Sequence, residues 1–344
     1  MRIAEVATRM VKEAACQAFY QADRVGLAPR RRRLPVLCYH RVNPGGPDYL
    51  SYDQRLRVSP ATFEAQLAYL KKRYTPISFA DLVRWQRGES PLPRNPVVIT
   101  FDDGYRDFFQ HAHPLLRRMG IPATLFVVNS YIDSQPKPWW EEVALVFEKT
   151  REPALSLKDV GLGQGILAIG DSRAAACHAV INAMTAISQD ARDEAVGRLA
   201  TCLGVSLDAS PPQPVFLSWQ ELATMAEVGL EVGLHGRSHA LLDRVGPLQA
   251  EAEIGQGKAE LEERLGRKVV AFACPVQVAP NATARDSLHR SGFAVVCTTP
   301  GLNRLPSLDL YDIHRLLVYE EPLPIFAARV AGLLFRPTHP TEGY

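Results

Sequence analysis

Asp102 and Asp103 are adjacent, in the run Thr100-Phe101-Asp102-Asp103-Gly104, and they close a stretch of apolar residues. Two neighbouring carboxylates at a buried strand end repel each other and are costly to desolvate. A divalent cation removes that cost. A helix N-cap plus a salt bridge would explain one aspartate but not both. His235 and His239 follow a second apolar run at a spacing of four, which is common among metal ligands. Gly236 excludes the zinc-protease H-E-x-x-H pattern, whose second position is a catalytic glutamate. Two surface histidines are the plain alternative. One aspartate with both histidines makes a three-ligand site with open positions, the arrangement of a catalytic metal centre rather than a closed structural one. His40 ends a third apolar run, beside Tyr39. A histidine there titrates near neutrality and suits proton transfer, or it is a buried structural residue.

These residues need a scaffold that gathers strand ends. Short apolar runs recur along the chain: Leu34–His40, Pro96–Asp102, Ala123–Val128, Leu230–His235, Val269–Cys274, Ala294–Thr298 and Arg315–Val318. Most are continuously hydrophobic, as parallel strands covered on both faces are. Helical stretches lie between them. Phe63–Arg73 follows Ser59-Pro60, Asp107–Met119 stops at Gly120, and Trp219–Val228 has Ser218 and Glu221 as a capping box. Leu248–Leu265 and Ala282–Ser291 stop at Gly266 and Gly292. This alternation predicts an α/β fold, a distorted seven-stranded (β/α) barrel. In such barrels the working residues lie at the C-terminal strand ends. His40, Asp102, Asp103, His235 and His239 all map there.

Residues 135–214 break the alternation. They hold Trp139-Trp140, helical patterns near 172–187 and 189–203, and the proline-rich Ser210-Pro211-Pro212-Gln213-Pro214. They read as a mostly helical insertion, with the tryptophans as core or lid residues or as a stacking face for a sugar. The expected organisation is an N-terminal helix over 1–33, a barrel over 34–321 and a helical tail over 322–344.

The chain has 344 residues, 47% of them hydrophobic and 22% charged, which is globular composition. Its 39 basic and 37 acidic residues leave a net charge of +2, which argues against a dedicated nucleic-acid binder. The charge is uneven: residues 1–33 carry eight basic and three acidic side chains, a net of +5, which leaves about −3 for the rest. Ile3, Val6, Met10, Val11, Ala14 and Ala15 form an apolar stripe on the N-terminal segment. That predicts a helix packed on the domain, or one lying on an anionic membrane surface. Six scattered cysteines form no C-x-x-C pair. Cys38, Cys274 and Cys297 read as small buried hydrophobes. No secretory leader is evident. The expected compartment is the cytoplasm, with peripheral attachment at the inner membrane face.

The run TFDDGY, followed by His-x-x-x-His after a Glu-x-Gly strand, resembles the polysaccharide deacetylases of the NodB-homology type, carbohydrate esterase family 4. The resemblance spans about Leu34–Val318. Leu37-Cys38-Tyr39-His40-Arg41-Val42 and Phe216-Leu217-Ser218-Trp219 resemble the branch containing poly-N-acetylglucosamine deacetylases.

The resemblance implies roles. Asp102 is the expected catalytic base, Asp103, His235 and His239 the metal ligands, His40 the general acid and the Tyr105 N–H an oxyanion donor. The implied cofactor is a divalent metal, Zn2+ foremost, with Co2+, Ni2+ or Fe2+ compatible with two histidines and an aspartate. The implied partner is an N-acetylated amino-sugar glycan, either a polysaccharide or a lipid-linked saccharide. The chain departs from the family at Gly236, where Thr or Ser is usual, and at Cys274-Pro275-Val276-Gln277, where Tyr-Pro-Tyr-Gly is usual. An arginine that tunes the base in many members is not evident in that second loop. The expected function is hydrolytic removal of N-acetyl groups. Alternatives are a catalytically weak glycan-binding protein and an amidase acting on a non-sugar amide. His314 is a further candidate for the rim.

Overall fold

The structure, a computed structural model, describes residues 2–28, 32–46, 56–134, 138–170, 173–207 and 214–334. The chain divides into two compact units.

The first unit, 1–44, 55–133 and 216–338, is the barrel. Its strands are β1 (Val36–Tyr39), β2 (Pro96–Phe101), β3 (Thr124–Val127), β4 (Glu231–Leu234), β5 (Ala271–Ala273), β6 (Val295–Pro300) and β7 (Ile313–Leu317). All are parallel to their neighbours, in the order β1-β7-β6-β5-β4-β3-β2, and β2 returns to β1 to close the ring. The expected seven-stranded (β/α) barrel is therefore what forms. Thr75–Pro76 adds a short parallel strand outside β2.

Strand alternation sorts the side chains. Val36, Val98, Phe126, Ala271, Ala273, Val295, Cys297 and Ile313 share one cluster inside the barrel. Leu37, Ile99, Leu125, Val232, Phe272, Val296 and Leu316 pack outward with the helices. Gly233 is required by this packing: a Cβ there would stand 2.4 Å from two ring atoms of Phe126. An alanine at this position costs about 1–3 kcal/mol of overpacking.

The helices start where the sequence signals them. Pro60–Arg73 begins with Ser59 accepting from the Thr62 N–H at 3.2 Å. Trp219–Glu227 has a reciprocal Ser218–Glu221 box. Two stretches read as single helices are interrupted by wide turns, at Phe108–Ala112 and at Glu251–Gln256.

The N-terminal helix, Arg2–Arg24, belongs to the barrel unit. Its contact face is not the predicted stripe. Met10 and Val11 are 65% and 70% exposed, and Ala14 and Ala15 are exposed too. The side chains of Ile3 and Val6 lie outside the described residues. Cys16 and Asp23 are buried instead, with Phe19 and Tyr20 packed on the core. Asp23 accepts from Tyr69 Oη at 3.0 Å and Arg73 Nε at 3.0 Å. A charged residue thus fixes the helix, and hydrophobic spacing alone could not reveal that. Near the C-terminus, Leu323–Val330 is a helix that buries Phe326, Ala327, Ala328 and Val330. Phe335 and the residues after it lie outside the described ones. Among the described residues no helix is long and apolar enough to cross a membrane.

The second unit is 45–54, 134–215 and 339–344. It holds helices Trp139–Lys149, Arg173–Thr185 and Gln189–Cys202 and an antiparallel pair, Ala154–Ser156 with Ile166–Ala168. Its own core includes Val143, Val146, Phe147, Val180, Ile181, Met184 and Leu199. Trp139 and Trp140 are partly buried against it, and the Arg192 guanidinium lies 4.8 Å from the Trp139 ring. Most of the proline-rich segment, 210–213, lies outside the described residues.

Candidate active site

The C-terminal ends of β1, β2 and β4 deliver His40, Asp102, Asp103 and His235 to one rim, and His239 follows four residues after His235. All five are buried, at 9% exposure or less. Extended strands send successive side chains to opposite faces, so adjacent aspartates would ordinarily point apart. Asp103 adopts a left-handed conformation, φ 74°, and turns its carboxylate back. His239 is also left-handed, φ 64°. Such residues cost about 1–3 kcal/mol each and persist where surrounding structure imposes them.

Asp103, His235 and His239 each offer one ligand atom, all within 4.8 Å of one another. Asp103 Oδ1 lies 3.6 Å from His235 Nε2 and 3.5 Å from His239 Nε2. Two ligands of a tetrahedral zinc ion at about 2.0–2.1 Å stand roughly 3.3–3.4 Å apart. The donor set therefore fits a cation of that size. His235 Nδ1 lies 2.8 Å from the Ala273 carbonyl. It must donate there, which leaves the Nε2 lone pair toward Asp103. Burial pushes the His235 imidazolium pKa down, which favours the neutral ligand form.

The loop between the histidines is held from outside. Ser238 donates through N–H and Oγ–H to Glu253, at 2.9 and 2.5 Å. Gly236 has φ +83°, and a Cβ on it would stand 3.0 Å from Glu253 Oε2. A side chain at 236 would be strained by that φ and would crowd this glutamate.

Asp102 sits in a different environment. Arg315, from β7, donates Nη1 to Oδ1 at 2.6 Å and Nη2 to Oδ2 at 2.7 Å. This guanidinium is fully buried and lies 5.5 Å from the Phe126 ring. Burial alone would push the Asp102 carboxyl up. The Arg315 charge outweighs burial and holds it well below the usual carboxylate range. The arginine absent from the 274–277 loop is therefore supplied by the last strand. The signal for it was a lone charge opening an otherwise apolar run, Arg315–Val318.

Cys38 was read as a small hydrophobe, but its Sγ donates to Asp102 Oδ2 at 3.3 Å. Burial pushes its thiol well above the ordinary value, so it remains a neutral donor. His40 joins the same cluster: ligand-capable atoms of Cys38, His40 and Asp102 lie within 4.8 Å of one another. Arg315 already compensates Asp102, so a cation gains less here than at Asp103.

Tyr105 is held by ring contacts. Its ring stacks on Phe216 with centroids 5.1 Å apart, and the Arg41 guanidinium lies over the ring, 4.5 Å from its centroid. Asp107 fixes Arg41, accepting from Nε at 2.7 Å, and accepts from Asn43 Nδ2 at 2.6 Å. Leu217 N–H bridges to the Gly104 carbonyl at 3.0 Å, so that bond does not use the Tyr105 N–H. Sequence reasoning gave Arg41 no role although it lies in the Leu37–Val42 run, and missed Asn43 and Asp107, which lie in no motif it quoted.

One expectation changes. His314 is not part of either cluster: its ring meets Thr299 Oγ1 at 2.9 Å, one position before the inward Arg315. In the altered loop, Val276 and Gln277 have φ 58° and 50°, a conformation that a glycine adopts freely.

Comparisons place these features among known proteins. A family model described as polysaccharide deacetylase matches residues 89–152 and 175–296, more than half of the chain. A poly-beta-1,6-N-acetyl-D-glucosamine N-deacetylase of Escherichia coli (strain K12) is 38% identical over 84 residues, 24% of this chain and 12% of that protein. A protein of the same name from Staphylococcus aureus (strain N315) is 27% identical over 78 residues, 23% of this chain and 27% of its own length. The chain thus spans well under two thirds of these relatives. Among solved structures, Streptococcus pyogenes deacetylase PplD in complex with acetate superposes with TM-score 0.57 at 17% identity, covering 87% of this chain and 98% of that one. IcaB from Ammonifex degensii gives 0.56 at 23% identity, covering 88% and 99%. At these identities the likeness is one of fold.

Proposed function

The chain belongs to the polysaccharide deacetylase family, and from that premise we propose that it hydrolyses N-acetyl groups from an amino-sugar glycan. The observation that carries the reading is the division of labour between neighbouring aspartates: Asp102 is charge-compensated by Arg315, whereas Asp103 faces two histidines. Asp103, His235 and His239 hold a divalent cation, zinc by preference. When bound, that ion supplies Lewis-acid polarisation of the acetamide carbonyl and makes water acidic enough to attack at neutral pH.

The chain's own groups do the rest. Asp102, kept ionised and aimed by Arg315, accepts a proton from the attacking water. The Tyr105 N–H donates to the oxygen that gains charge as the carbonyl carbon becomes tetrahedral. His40, in the same cluster as Asp102, donates a proton to the departing amine, without which the C–N bond does not break. Acetate and the free amine are the products. A protein that only binds glycans has no need of a base beside the ligand set, which weighs against the binding alternative. The exposed Met10 and Val11 beside Lys12 support peripheral attachment to an anionic membrane face, where a lipid-linked or nascent glycan would be met.

Acetate release from N-acetylglucosamine oligomers tests the reading. Release should stop with chelator and return with zinc. Release that ignores chelator rejects it. Flotation with anionic vesicles tests attachment separately: protein that stays at the bottom of the gradient at low salt opposes it.

A further inference from the structure

Cys38 lies inside the barrel on β1, paired in register with Thr100 on β2, two residues before the base. Its Sγ and Asp102 Oδ2 are 3.3 Å apart, with both residues buried. A carboxylate offers about four lone-pair directions. Arg315 takes one on each oxygen, and Cys38 takes a second on Oδ2. That same oxygen lies only 3.7 Å from His235 Nε2. A carboxylate so close to a cation site has a competing option, which is to become a ligand. An Asp102 that ligates can no longer accept a proton.

We propose that Cys38 is a positioning residue: with Arg315 it holds Asp102 Oδ2 away from the ligand set, so that Asp103 binds the ion and Asp102 remains the base. The inference rests on the reading of Asp102 as the proton acceptor. Arg315 alone grips the carboxylate from β7, along the fork of its guanidinium. Cys38 grips from β1, so a swing of Oδ2 toward His235 breaks a bond on that side. A thiol suits the place because it is a donor small enough for the barrel interior and carries no charge there.

The test uses the full-length zinc-loaded protein and N-acetylglucosamine oligomers, with Cys38→Val, Cys38→Ala, Cys38→Ser and Asp102→Asn. Cys38→Val and Cys38→Ala remove the donor and should lower kcat by roughly 10- to 100-fold at unchanged KM, the scale of a small misplacement. Cys38→Ser keeps a donor and should recover most of that loss. Visible absorption of the cobalt(II)-loaded proteins gives a readout apart from activity. An added carboxylate ligand should weaken the cobalt band in Cys38→Val and Cys38→Ala but not in Cys38→Ser. Melting curves separate a folding defect from misplacement, and Cys38→Ala cannot overpack the barrel. Wild-type kcat and an unchanged cobalt spectrum in the alanine variant overturn the proposal, as does a serine variant no better than alanine. If Asp102→Asn retains wild-type acetate release, the base assignment itself fails, whatever the cysteine variants show.

Discussion

Asp102, which is buried, and Glu231, which is half-buried, are carboxylates at opposite ends of one barrel, and they are stabilised by different means. Asp102 follows the end of β2 and is gripped by a guanidinium. Glu231 opens β4 at the other end and is met only by neutral donors: the Phe79 N–H at 3.2 Å, the Ala80 N–H at 3.1 Å and the Thr124 hydroxyl. Burial pushes both carboxyls up. At Asp102 the arginine charge reverses the shift, while at Glu231 hydrogen bonds reduce it without reversing it, so its pKa stays raised. Hydrogen bonds to neutral donors favour the ionised form at both sites, but only at Asp102 does an opposite charge add enough to bring the carboxyl below its ordinary range. The rim end invests a buried charge pair and so keeps its carboxylate ionised. The other end uses a carboxylate to tie β4 to β3 and to the start of helix Phe79–Gln86.

Arg315→Met is the harshest way to break this contrast. It strands a buried charge, so unfolding free energy should fall by about 3–5 kcal/mol, and acetate release should collapse with it. A loss no greater than at Glu231 in urea denaturation would erase the distinction. Asp102→Asn keeps the shape and removes the charge; kcat should fall by about 10²- to 10⁴-fold in a steady-state assay. Glu231→Gln should cost about 1–3 kcal/mol with kcat unchanged, since one acceptor is lost far from the rim.

The smallest effect is in pH dependence, and its signs differ. Asp102 has a folded pKa below its unfolded 3.8, so its contribution is complete above that value and is lost only as pH falls below it. Glu231 has a folded pKa above its unfolded 4.5, so its contribution is complete below that value and is lost as pH rises through the raised one. As pH rises from the ordinary glutamate value through the raised one, the stability deficit of Glu231→Gln relative to the wild type should therefore narrow. Asp102→Asn should show no such slope. Denaturation midpoints across that range check both.

Much of the barrel was legible in the sequence because burial on both faces leaves a local mark. Most strands fall in near-continuous apolar runs, and a polar residue closing such a run is conspicuous against it. Asp102, Asp103, His235 and His239 stood out in that way, and the structure brings them together. Arg315 did not stand out as a site residue, because a charge at the head of a short apolar run reads as a strand edge. Cys38 did not, because a thiol among Leu37 and Tyr39 looks like any small hydrophobe. On the N-terminal helix, the apolar stripe through Met10 and Val11 is not the face that packs on the core, because the helix is anchored by the buried Asp23.

The sequence by itself determined the strand pattern, the helix caps and the residue types that end each strand. These follow from interactions within a few residues of one another. Closure of the ring decided the rest. It placed Arg315 against Asp102 across 213 positions, and Cys38 across 64. The left-handed turn at Asp103 then sent two adjacent carboxylates to different work. Which aspartate carries a compensating charge depends on what the far strands deliver beside it, and no local pattern encodes that.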